Sequence, residues 1–512
     1  MSDLQIPPQA RELLHALHGY LALQQVSSWL VGGSVRDLLL NRPIADLDVA
    51  VDGDAPGLAR AFADATGGAW VLLDAETGSA RVVWPETGSV AGRPRTLDLV
   101  RLRAASIQDD LRGRDFTINA LALPLEHLSD SDAQLIDPLG GLEDLRQHVL
   151  RACAPTSISD DPLRMLRAVR LAGQLSFTLA DDLVAELRER HTEILRVSPE
   201  RIRDELLKIL SLPHAGEWVE FLDDVRLLTT IIPELEPSRD CDQPNLHFLP
   251  VLGHLIEAVV AADWLLDQLG GSADDGTGIV PDAVWAIPEL SARLPYADRL
   301  LARFDEIVDG VPRLALFKLA VLLHDVAKPQ TKGIKPDGGV TFYDHQAIGA
   351  EIAWNIARRL RLSRAACDYV RLIVREHMRP GQLNALGPAL TLRAVYRFFR
   401  ATGPSGPEVL LHSLCDHLAM QGPNLDPAGW EWHVGWTAEM LHLFYEEPTT
   451  VRPEPILRGD DLIRELGMRQ GPAIGRLLED VREAQAAGEI RTREEALAWA
   501  RQHLSATSVE SG

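Results

Sequence analysis

The chain has 512 residues, of which 46% are hydrophobic and 24% are charged, a balance typical of a globular protein with several buried cores. At roughly 150 residues per domain, this length predicts two to four domains. The 51 basic and 74 acidic side chains give a formal net charge of −23, which excludes a uniformly cationic surface for binding polyanions.

Cysteine content and hydropathy indicate a reducing, aqueous compartment. The chain has only four cysteines and no CxxC spacing, so neither a disulfide framework nor a cysteine-rich zinc module is expected. Its first ten residues are acidic and polar, and it contains no apolar run of 18 residues. We therefore predict a cytoplasmic protein that does not enter membranes.

The first 150 residues alternate between helical and strand-like patterns. Leucines at helical spacing predict a helix over residues 11–24, within an N-terminal segment 1–26. Residues 28–33 are typical of a short strand that meets a glycine turn, and residues 56–66 of a helix. Strand-like runs LDVAVD, ARVVW and TLDLVRL lie on either side of that helix, so residues 27–150 are expected to form a small α/β head with a mixed sheet.

From about residue 155 the pattern becomes almost entirely helical. Amphipathic segments begin there, at residues 162–175, 180–191 and 199–210. Proline and glycine residues interrupt the pattern near Pro155, near Pro213 and at 422–429. We predict an α+β fold in which the head is followed by an extended all-α neck and two further helical parts, with boundaries at residues 151–215, 216–425 and 426–512.

Two aspartates in a strand-like run are the first candidate site. Side chains at i and i+2 of a strand point to the same face, so Asp46 and Asp48 would lie close together. Such carboxylates repel each other unless a cation lies between them, and their oxygens suit Mg²⁺. Gly32 and Gly33 would let backbone N–H groups approach a triphosphate, and Arg36 would add positive charge. An isolated DxD, however, is more often solvated or a capping motif.

This DxD is accompanied by further motifs that carry a family resemblance. The sequence resembles the head of tRNA nucleotidyltransferases of the CCA-adding type and of bacterial poly(A) polymerases, over roughly residues 28 to 210. The motifs that carry the resemblance are, in chain order, GGSVRD at 32–37, DLD at 46–48, TLDLVRLR around residue 98, DLRGRDFTINALA at 110–122, DPLGGLEDL at 137–145, SDDPLRMLRAVRLA at 159–172 and PERIRDELLKIL at 199–210.

The resemblance implies template-independent addition or repair of the CCA end of tRNA, with CTP and ATP as substrates. It implies that Asp46 and Asp48 hold Mg²⁺ and that Asp98 is a third carboxylate on a neighbouring strand. In two-metal phosphoryl transfer, one ion activates the RNA 3′ hydroxyl and the other binds the leaving pyrophosphate. The partners are therefore the tRNA 3′ end and the two nucleotides.

A second motif is expected to read the incoming base. Asp161 and Arg164 are separated by three residues on a predicted helix and would face the same way, offering an acceptor and a fork of donors. Taken alone, such a pair is more often a surface ion pair, but the resemblance implies selection of CTP and ATP. Arg167 and Arg170 continue the spacing and indicate triphosphate or RNA contact, with an exposed cationic stripe as the alternative.

The RDFTIN motif shows two departures from the family. Asp115 and Asn119 are compatible with one helical face beside Arg114, and the resemblance implies contacts with ribose and triphosphate. The family usually has two adjacent arginines before this aspartate, whereas this sequence has Gly113 and Arg114. Only seven residues separate Arg103 from Leu111, where many CCA-adding members carry a longer flexible segment associated with switching to ATP. A CC-only enzyme therefore remains an alternative.

The helical part contains an ordered set of histidines and aspartates. The set resembles a metal-dependent HD-type phosphohydrolase domain, in which imidazoles and carboxylates bind one or two divalent ions of unknown identity. A lone histidine is more often a core or surface residue than a ligand. The candidate ligands are His254, His324, Asp325, His345, His377 and Asp416.

Residues 426–512 resemble the C-terminal helical element of HD-bearing tRNA nucleotidyltransferases and are expected to bind RNA. Several alternatives remain open: a CC-only or A-only enzyme, a poly(A) polymerase, or an HD phosphohydrolase with an inactive head. A non-enzymatic RNA-binding protein is less favoured, because it would gain nothing from carboxylates placed against phosphate. The sequence does not predict an oligomeric state.

Overall fold

A computed structural model of the chain describes residues 6–44, 46–84, 96–128, 134–244, 246–271, 280–287 and 289–509. The chain divides into two compact units, Met1–Val197 and Ser198–Gly512. This division falls inside the predicted neck segment 151–215, and the five-part division of the sequence stays a prediction.

The first unit contains a six-stranded mixed sheet. Its strands are β1 (Ser28–Val31), β2 (Asp46–Val51), β3 (Ala69–Asp74), β4 (Ser79–Val83), β5 (Thr96–Arg101) and β6 (Ala122–Pro124). The spatial order is β3-β4-β5-β2-β1-β6, with β2 and β5 parallel and the other neighbours antiparallel. The predicted mixed sheet in the head is therefore confirmed.

Helices pack against this sheet, because the apolar side of each helix and the apolar face of the sheet are buried against each other. On β2, Leu47, Val49 and Val51 are fully buried. The predicted N-terminal helix is present, and its buried leucines follow the 3.6-residue period. The helices of this unit are α1 (Pro8–Ala22), α2 (Gly33–Leu39), α3 (Ala55–Thr66), α4 (Ile107–Arg112), α5 (Gly141–Gln147), α6 (Ser157–Asp160), α7 (Arg164–Leu175) and α8 (Asp181–Arg190). A short parallel pair, β7 (Val149–Leu150) and β8 (Thr178–Leu179), lies among the later helices.

The second unit is helical, as predicted, apart from two short hairpins: β9 (Ile307–Val308) with β10 (Val311–Pro312), and β11 (Lys332–Ile334) with β12 (Val340–Phe342). No helix among the described residues is long and apolar enough to cross a membrane. The helices are α9 (Pro199–Leu210), α10 (Ala215–Asp224), α11 (Leu227–Ile231), α12 (Val251–Gly270), α13 (Asp282–Ala286), α14 (Ala297–Phe304), α15 (Arg313–Leu323), α16 (Lys328–Thr331), α17 (His345–Arg359), α18 (Arg364–Glu376), α19 (Met378–Asn384), α20 (Leu392–Thr402), α21 (Gly406–Gln421), α22 (Pro427–Glu446), α23 (Pro448–Val451), α24 (Gly459–Leu466), α25 (Pro472–Ala486) and α26 (Arg493–Val509).

Helices α10 and α12 approach each other closely at Gly216. A Cβ atom on this glycine would lie 2.5 Å from Val260 Cγ2 and 2.7 Å from the Val260 backbone nitrogen. The Gly216 N–H donates to Asp263, whose other oxygen pairs with the buried Lys318 ammonium at 2.5 Å. Because both charges are almost fully buried, each depends on the other for its stability in the core.

The C-terminal helices α24, α25 and α26 enclose a small core of their own. Ion pairs join this core to α20. Arg397 binds Glu483 through two hydrogen bonds of 2.9 and 2.6 Å, and Arg393 binds Glu489 at 2.8 Å. The carboxyl-terminal element is thus held to the rest of its unit by charged as well as apolar contacts.

Candidate functional site

The three predicted carboxylates come together on neighbouring strands. Asp46 and Asp48 lie at the start of β2, and Asp98 lies directly beside Asp48 on β5 in the parallel register. The Ser34 hydroxyl fixes this end of β2 by donating to the Asp46 carbonyl at 3.1 Å and accepting from the Asp48 N–H at 2.8 Å. Thr96 donates to the Asp46 carboxylate.

Asp98 has a partner that sequence reasoning missed. Arg81 lies opposite it on β4 and donates to both carboxylate oxygens, from Nε at 2.7 Å and from Nη2 at 2.8 Å. Arg81 belongs to none of the recognised motifs, and only the pairing of β4 with β5 places it here. The ion pair fixes the orientation of the third carboxylate.

The carboxylate cluster has the properties of a divalent-cation site. Burial, followed by the negative charge of Asp98, raises the pKa of Asp48 from 3.8 to about 6. A cation between Asp46 and Asp48 would relieve this repulsion, and hard oxygen ligands suit Mg²⁺. The donor set therefore fits the ion that the sequence predicts.

A glycine turn brings an arginine next to these carboxylates. Gly32 has φ of +67°, which other residues adopt only with strain, and a Cβ atom there would lie 2.9 Å from Arg114 Nη1 and 3.9 Å from Asp48 Oδ2. Gly33 begins α2. Arg114 donates to Asp110 from Nε and Nη2 at 3.3 and 3.2 Å. A side chain at position 32 would push this guanidinium away from Asp48.

Beside Arg114 lies a polar pocket of about 270 Å³. Its lining is almost entirely charged, a composition suited to an anionic ligand with a polar base. The lining residues are Arg103, Arg114, Asp115, Asp161, Arg164 and Arg167. Five of these six are sequence-predicted site residues, and Arg103 is the addition.

One geometric prediction about this pocket is wrong. Asp161 and Arg164 do not share a helical face, because α7 begins at Arg164 and Asp161 has extended backbone angles just before Pro162. Proline fits the first turn of a helix but disfavours helical angles in the residue before it. The two side chains nevertheless line the same pocket.

Arg164 is anchored by main-chain carbonyls and a serine hydroxyl rather than by a carboxylate. Its Nη2 donates to the Gly113 carbonyl at 3.1 Å, and its Nη1 donates to Ser157 Oγ at 2.7 Å and to the Arg114 carbonyl at 3.4 Å. These bonds hold the guanidinium in one orientation at the pocket wall.

A buried chain of polar side chains underlies the pocket. Arg36 donates to Asn119 at 2.7 Å, Asn119 donates to Asp115 at 3.1 Å, and Arg167 binds Asp115 at 2.6 Å. Although burial opposes ionisation, Arg167 and the Asn119 amide lower the pKa of Asp115. Arg36 also binds Asp37 and does not line the pocket. These residues connect α2, the RDFTIN segment and α7.

Asp115 and Asn119 also differ from the predicted arrangement. They do not share an α-helical face, because Thr117–Asn119 forms a single 3₁₀ turn that starts after Asp115. Arg170, farther along α7, donates to Gln174 at 2.9 Å and is not among the pocket-lining residues. Contact of Arg170 with triphosphate or RNA therefore stays a prediction.

The second unit brings all six predicted HD residues together. His254, His324 and Asp416 form one group of potential metal ligands, and Asp325, His345 and His377 form another, with ligand atoms within 4.8 Å in each group. These residues come from five separate places along the helical sequence. We call this set the histidine centre.

Asp325 lies between the two groups of the histidine centre. Its Oδ2 is 3.3 Å from His324 Nε2, and its Oδ1 is 3.2 Å from His345 Nε2. The Nε2 atoms of His254 and His324 are 3.1 Å apart, and His254 Nε2 is 3.1 Å from Asp416 Oδ1. A carboxylate between two sets of imidazoles is suited to contact one ion or to bridge two.

Main-chain carbonyls fix the orientation of three imidazoles. Nδ1 of His324, His345 and His377 lies 2.8, 2.7 and 2.7 Å from the carbonyl oxygen three residues earlier. A carbonyl can only accept a hydrogen bond, so Nδ1 carries the proton in each ring and Nε2 faces the centre. This is the second-sphere arrangement that orients metal-ligating histidines.

Without a cation, protons compensate the carboxylates of the histidine centre. Burial would lower the pKa of His324, but Asp325 and Asp416 outweigh it and raise this pKa to about 10. A bound cation would displace that proton, since a metal ligand must be deprotonated. The donor set therefore fits a divalent metal ion.

Sequence reasoning missed two residues of the histidine centre. Lys328 places its ammonium 2.5 Å from Asp325 Oδ2, and it lies one turn after the HD pair. His412 is fully buried with its ring centroid 4.7 Å from that of His324, and neither of its nitrogens has a hydrogen-bond partner among the described residues. Its spacing of four residues from Asp416 on α21 is the signal that could have revealed it.

Family models match three parts of the chain. The poly A polymerase head domain matches residues 28–151, the probable RNA and SrmB-binding site of polymerase A matches residues 176–238, and the HD domain matches residues 298–421. Nucleotidyltransferase heads and HD domains work with divalent metal ions, so these matches imply that the protein depends on such ions.

Relatives resemble nearly the whole chain. It is 33% identical to the A-adding tRNA nucleotidyltransferase of Deinococcus radiodurans, over 92% of this chain and 94% of that protein. It is 31% identical to the CC-adding tRNA nucleotidyltransferase of Geobacter sulfurreducens, over 92% and 90%. A solved structure of the Thermotoga maritima CCA-adding enzyme complexed with tRNA shares the fold, with a TM-score of 0.59, 23% identity and coverage of 98% of both chains.

Proposed function

Because this chain belongs to the tRNA nucleotidyltransferase family, we propose that it adds or repairs the 3′-terminal CCA of tRNA, using CTP and ATP without a template. The observation that carries this proposal is the pair Asp46 and Asp48 next to a pocket lined by four arginines. Its substrates are tRNA and free nucleotides, so we expect it to act in the cytoplasm.

The proposed roles follow from chemistry and position. Asp46 and Asp48 hold Mg²⁺, and Asp98 supports them. When bound, magnesium activates the RNA 3′ hydroxyl and neutralises the leaving pyrophosphate. Gly32 and Gly33 allow a close approach of the nucleotide.

The pocket residues bind and select the nucleotide. Arg114 and Arg167 offset the charge of the triphosphate, while Asp161 and Arg164 pair with the edge of the base. Arg36, Asp115 and Asn119 support this arrangement from beneath the pocket. Arg170 is proposed to contact RNA rather than the nucleotide.

A primer-extension experiment tests the proposed function. Purified protein is incubated with tRNA ending before CCA, after C or after CC, and with labelled CTP, ATP or both. We expect both nucleotides to be incorporated in order, and Asp48→Asn to lose at least about a hundredfold in rate, since removing one electrostatic group of a catalytic site costs that much. Asp52→Asn, an exposed change just beyond the same strand, is the matched control. Wild-type protein that extends none of these RNAs would refute the proposal.

A CC-only enzyme is the second candidate, and the short connection after β5 favours it. Residue 103 is held to α4 by a 3.0 Å hydrogen bond from its N–H to Asp110, so the stretch that is long in many CCA-adding members is short and anchored here. In the same experiment, a CC-only enzyme adds CMP to tRNA that ends before CCA or after C. It adds no AMP to tRNA that ends in CC. Incorporation of AMP alone identifies an A-only enzyme, and AMP runs on any RNA identify a poly(A) polymerase.

The convergence of six ligand groups in the histidine centre favours an additional phosphohydrolase activity. We propose that this centre holds a second divalent metal and hydrolyses phosphate monoesters or cyclic phosphodiesters. The test assays p-nitrophenyl phosphate and 2′,3′-cyclic AMP with added Mg²⁺, Mn²⁺ or Ni²⁺. His324→Ala should abolish hydrolysis while Asp46→Ala should not. Hydrolysis that survives His324→Ala would refute the proposal.

A further inference from the structure

The four guanidinium groups of the nucleotide pocket differ in what they already bind. Arg167 is paired with Asp115, Arg114 with Asp110, and Arg164 is bonded to main-chain oxygens. Each of these arginines has part of its hydrogen-bonding capacity in use before a ligand arrives. A ligand must therefore share them with the protein.

Arg103 is different from the other three arginines. Among the described residues its guanidinium makes no hydrogen bond and no ion pair, and its side chain is exposed at the pocket. Backbone hydrogen bonds mainly lower the pKa of the exposed Asp74, and the charge of Arg103 contributes a small part of that effect. The Arg103 backbone, in contrast, is fixed, because its N–H donates to Asp110 Oδ1 at 3.0 Å. An exposed cationic group is thus attached to a main chain held in place.

Asp110 locates Arg103 relative to the reacting end of the pocket. This buried carboxylate uses Oδ1 for the Arg103 N–H and Oδ2 for the Arg114 guanidinium. Arg114 in turn borders Gly32 and approaches Asp48. Asp110 therefore holds both the Arg103 backbone and the Arg114 side chain, and Arg114 lies beside Asp48.

We propose that Arg103 binds the triphosphate of the incoming nucleotide, an assignment that rests on the proposed function. A guanidinium fork matches phosphate oxygens in two-point contacts, and Arg103 has no hydrogen bond or ion pair to a described residue that it must give up first. The same lining includes Asp161 and Arg164, which are proposed to pair with the base. Arg103 therefore contributes affinity for the phosphates that CTP and ATP share and does not distinguish the bases.

Binding experiments on the full chain test this assignment without catalysis. Isothermal titration calorimetry measures the Kd of CTP, ATP and CMP with Mg²⁺ and without tRNA. The variants are Arg103→Gln, Arg103→Lys and the control Arg112→Gln. Arg112 is an exposed neighbour that pairs with Asp109 at 2.8 Å and does not line the pocket. Thermal unfolding of each variant checks that folding is intact.

We expect Arg103→Gln to weaken CTP and ATP equally, by about tenfold or more, as for the loss of a charge-assisted contact. CMP binding should change by less than about twofold, Arg103→Lys should recover part of the loss, and Arg112→Gln should have no effect. Unchanged CTP binding, an equal loss for CMP, or a loss for one base only would each overturn the assignment.

The outcome separates this assignment from the proposed function. If wild-type protein extends no tRNA while Arg103→Gln weakens CTP and ATP alone, the role of Arg103 stands and the proposed function fails. If the wild-type protein extends tRNA but Arg103→Gln binds CTP normally, the proposed function stands and the role of Arg103 fails. Wild-type protein that binds no nucleotide would overturn both.

Discussion

Asp48 lies in a crowded acidic environment, and this gives the proposed reaction a defined pH dependence. Its pKa is raised to about 6 by burial and by Asp98, so the carboxyl becomes protonated as the pH falls through 6. A protonated carboxyl is a poor metal ligand. We therefore expect kcat/KM for nucleotide addition to fall about tenfold per pH unit below about 6.

Magnesium concentration provides the control for this pH profile. Because protons and Mg²⁺ compete for the same carboxylates, tenfold more Mg²⁺ should move the acidic limb to lower pH. An acidic limb that does not respond to Mg²⁺ would assign the limb to a different group.

The partly buried Glu257 on α12 makes the stability of the protein depend on pH. Its Oε1 accepts the Asp282 N–H at 2.7 Å, and burial raises its pKa from 4.5 to about 8. Because folding raises this pKa, the contribution of Glu257 to stability is complete below pH 4.5 and is lost as the pH rises through 8. Glutamine keeps the acceptor without the charge.

We expect Glu257→Gln to raise Tm above that of the wild type at pH 9, by a few degrees, and to have a smaller effect at pH 6. Differential scanning fluorimetry at both pH values measures this. Glu439→Gln, an exposed change on α22, is the matched control and should leave Tm unchanged at either pH. An equal effect of Glu257→Gln at both pH values would contradict the account.

Motifs predicted many site residues but not their partners. Asp46, Asp48 and Asp98 could be found because a strand period and a family pattern coincide there. Lys328 and His412 each lie one turn from a predicted ligand, so local spacing could have revealed them. Arg81, in contrast, is brought to Asp98 by strand pairing from outside any motif. Such contacts depend on tertiary structure, which spacing along one strand or helix does not contain.

At the scale of elements, the contact between α10 and α12 depends on the absence of a side chain at Gly216. An added Cβ would lie 2.5 Å from Val260 Cγ2 and 2.7 Å from Val260 backbone atoms, so the helices would have to separate. We expect Gly216→Ala to lower the free energy of unfolding by about 1–3 kcal/mol, the usual cost of overpacking. Urea denaturation measures this value.

Gly435 offers a matched control within the same unit. It lies inside α22, and a Cβ atom added there would have no described atom within 4 Å, so alanine meets no obstacle. Gly435→Ala should stabilise the protein by up to about 1 kcal/mol, because alanine favours the helix. Equal effects of the two substitutions would show that α10 and α12 are not in close contact.

Local patterns predicted most elements but not their exact ends or their arrangement. The helix predicted at 199–210 has those bounds, whereas the helix predicted from 162 starts at Arg164 because Pro162 lies in the turn before it. The strand order of the sheet could not be predicted, since β5 pairs with β2 across the intervening β3 and β4. Order in a sheet is decided by packing between distant segments.

At the scale of the whole molecule, the two candidate centres belong to different compact units. The carboxylate cluster lies within Met1–Val197 and the histidine centre within Ser198–Gly512. We expect His377→Ala to lower the metal content of purified protein, measured by inductively coupled plasma mass spectrometry, while nucleotide addition stays within about twofold of wild type. His442→Ala, outside the histidine centre, is the control for metal content.

Asp48→Asn should give the opposite result, with tRNA extension lost and the metal retained by the histidine centre unchanged. If His377→Ala also abolishes tRNA extension while the protein stays folded, the two centres do not act independently.

The carbonyl anchors on His324, His345 and His377 have a spectroscopic consequence. Each anchor holds a proton on Nδ1 of a buried ring, so these Nδ1 protons should exchange slowly with solvent. In protein labelled with ¹⁵N-histidine, they should give downfield proton resonances that stand apart from those of exposed rings. Titration of a paramagnetic ion such as Mn²⁺ should broaden these signals first, and so report occupancy of the histidine centre directly by nuclear magnetic resonance.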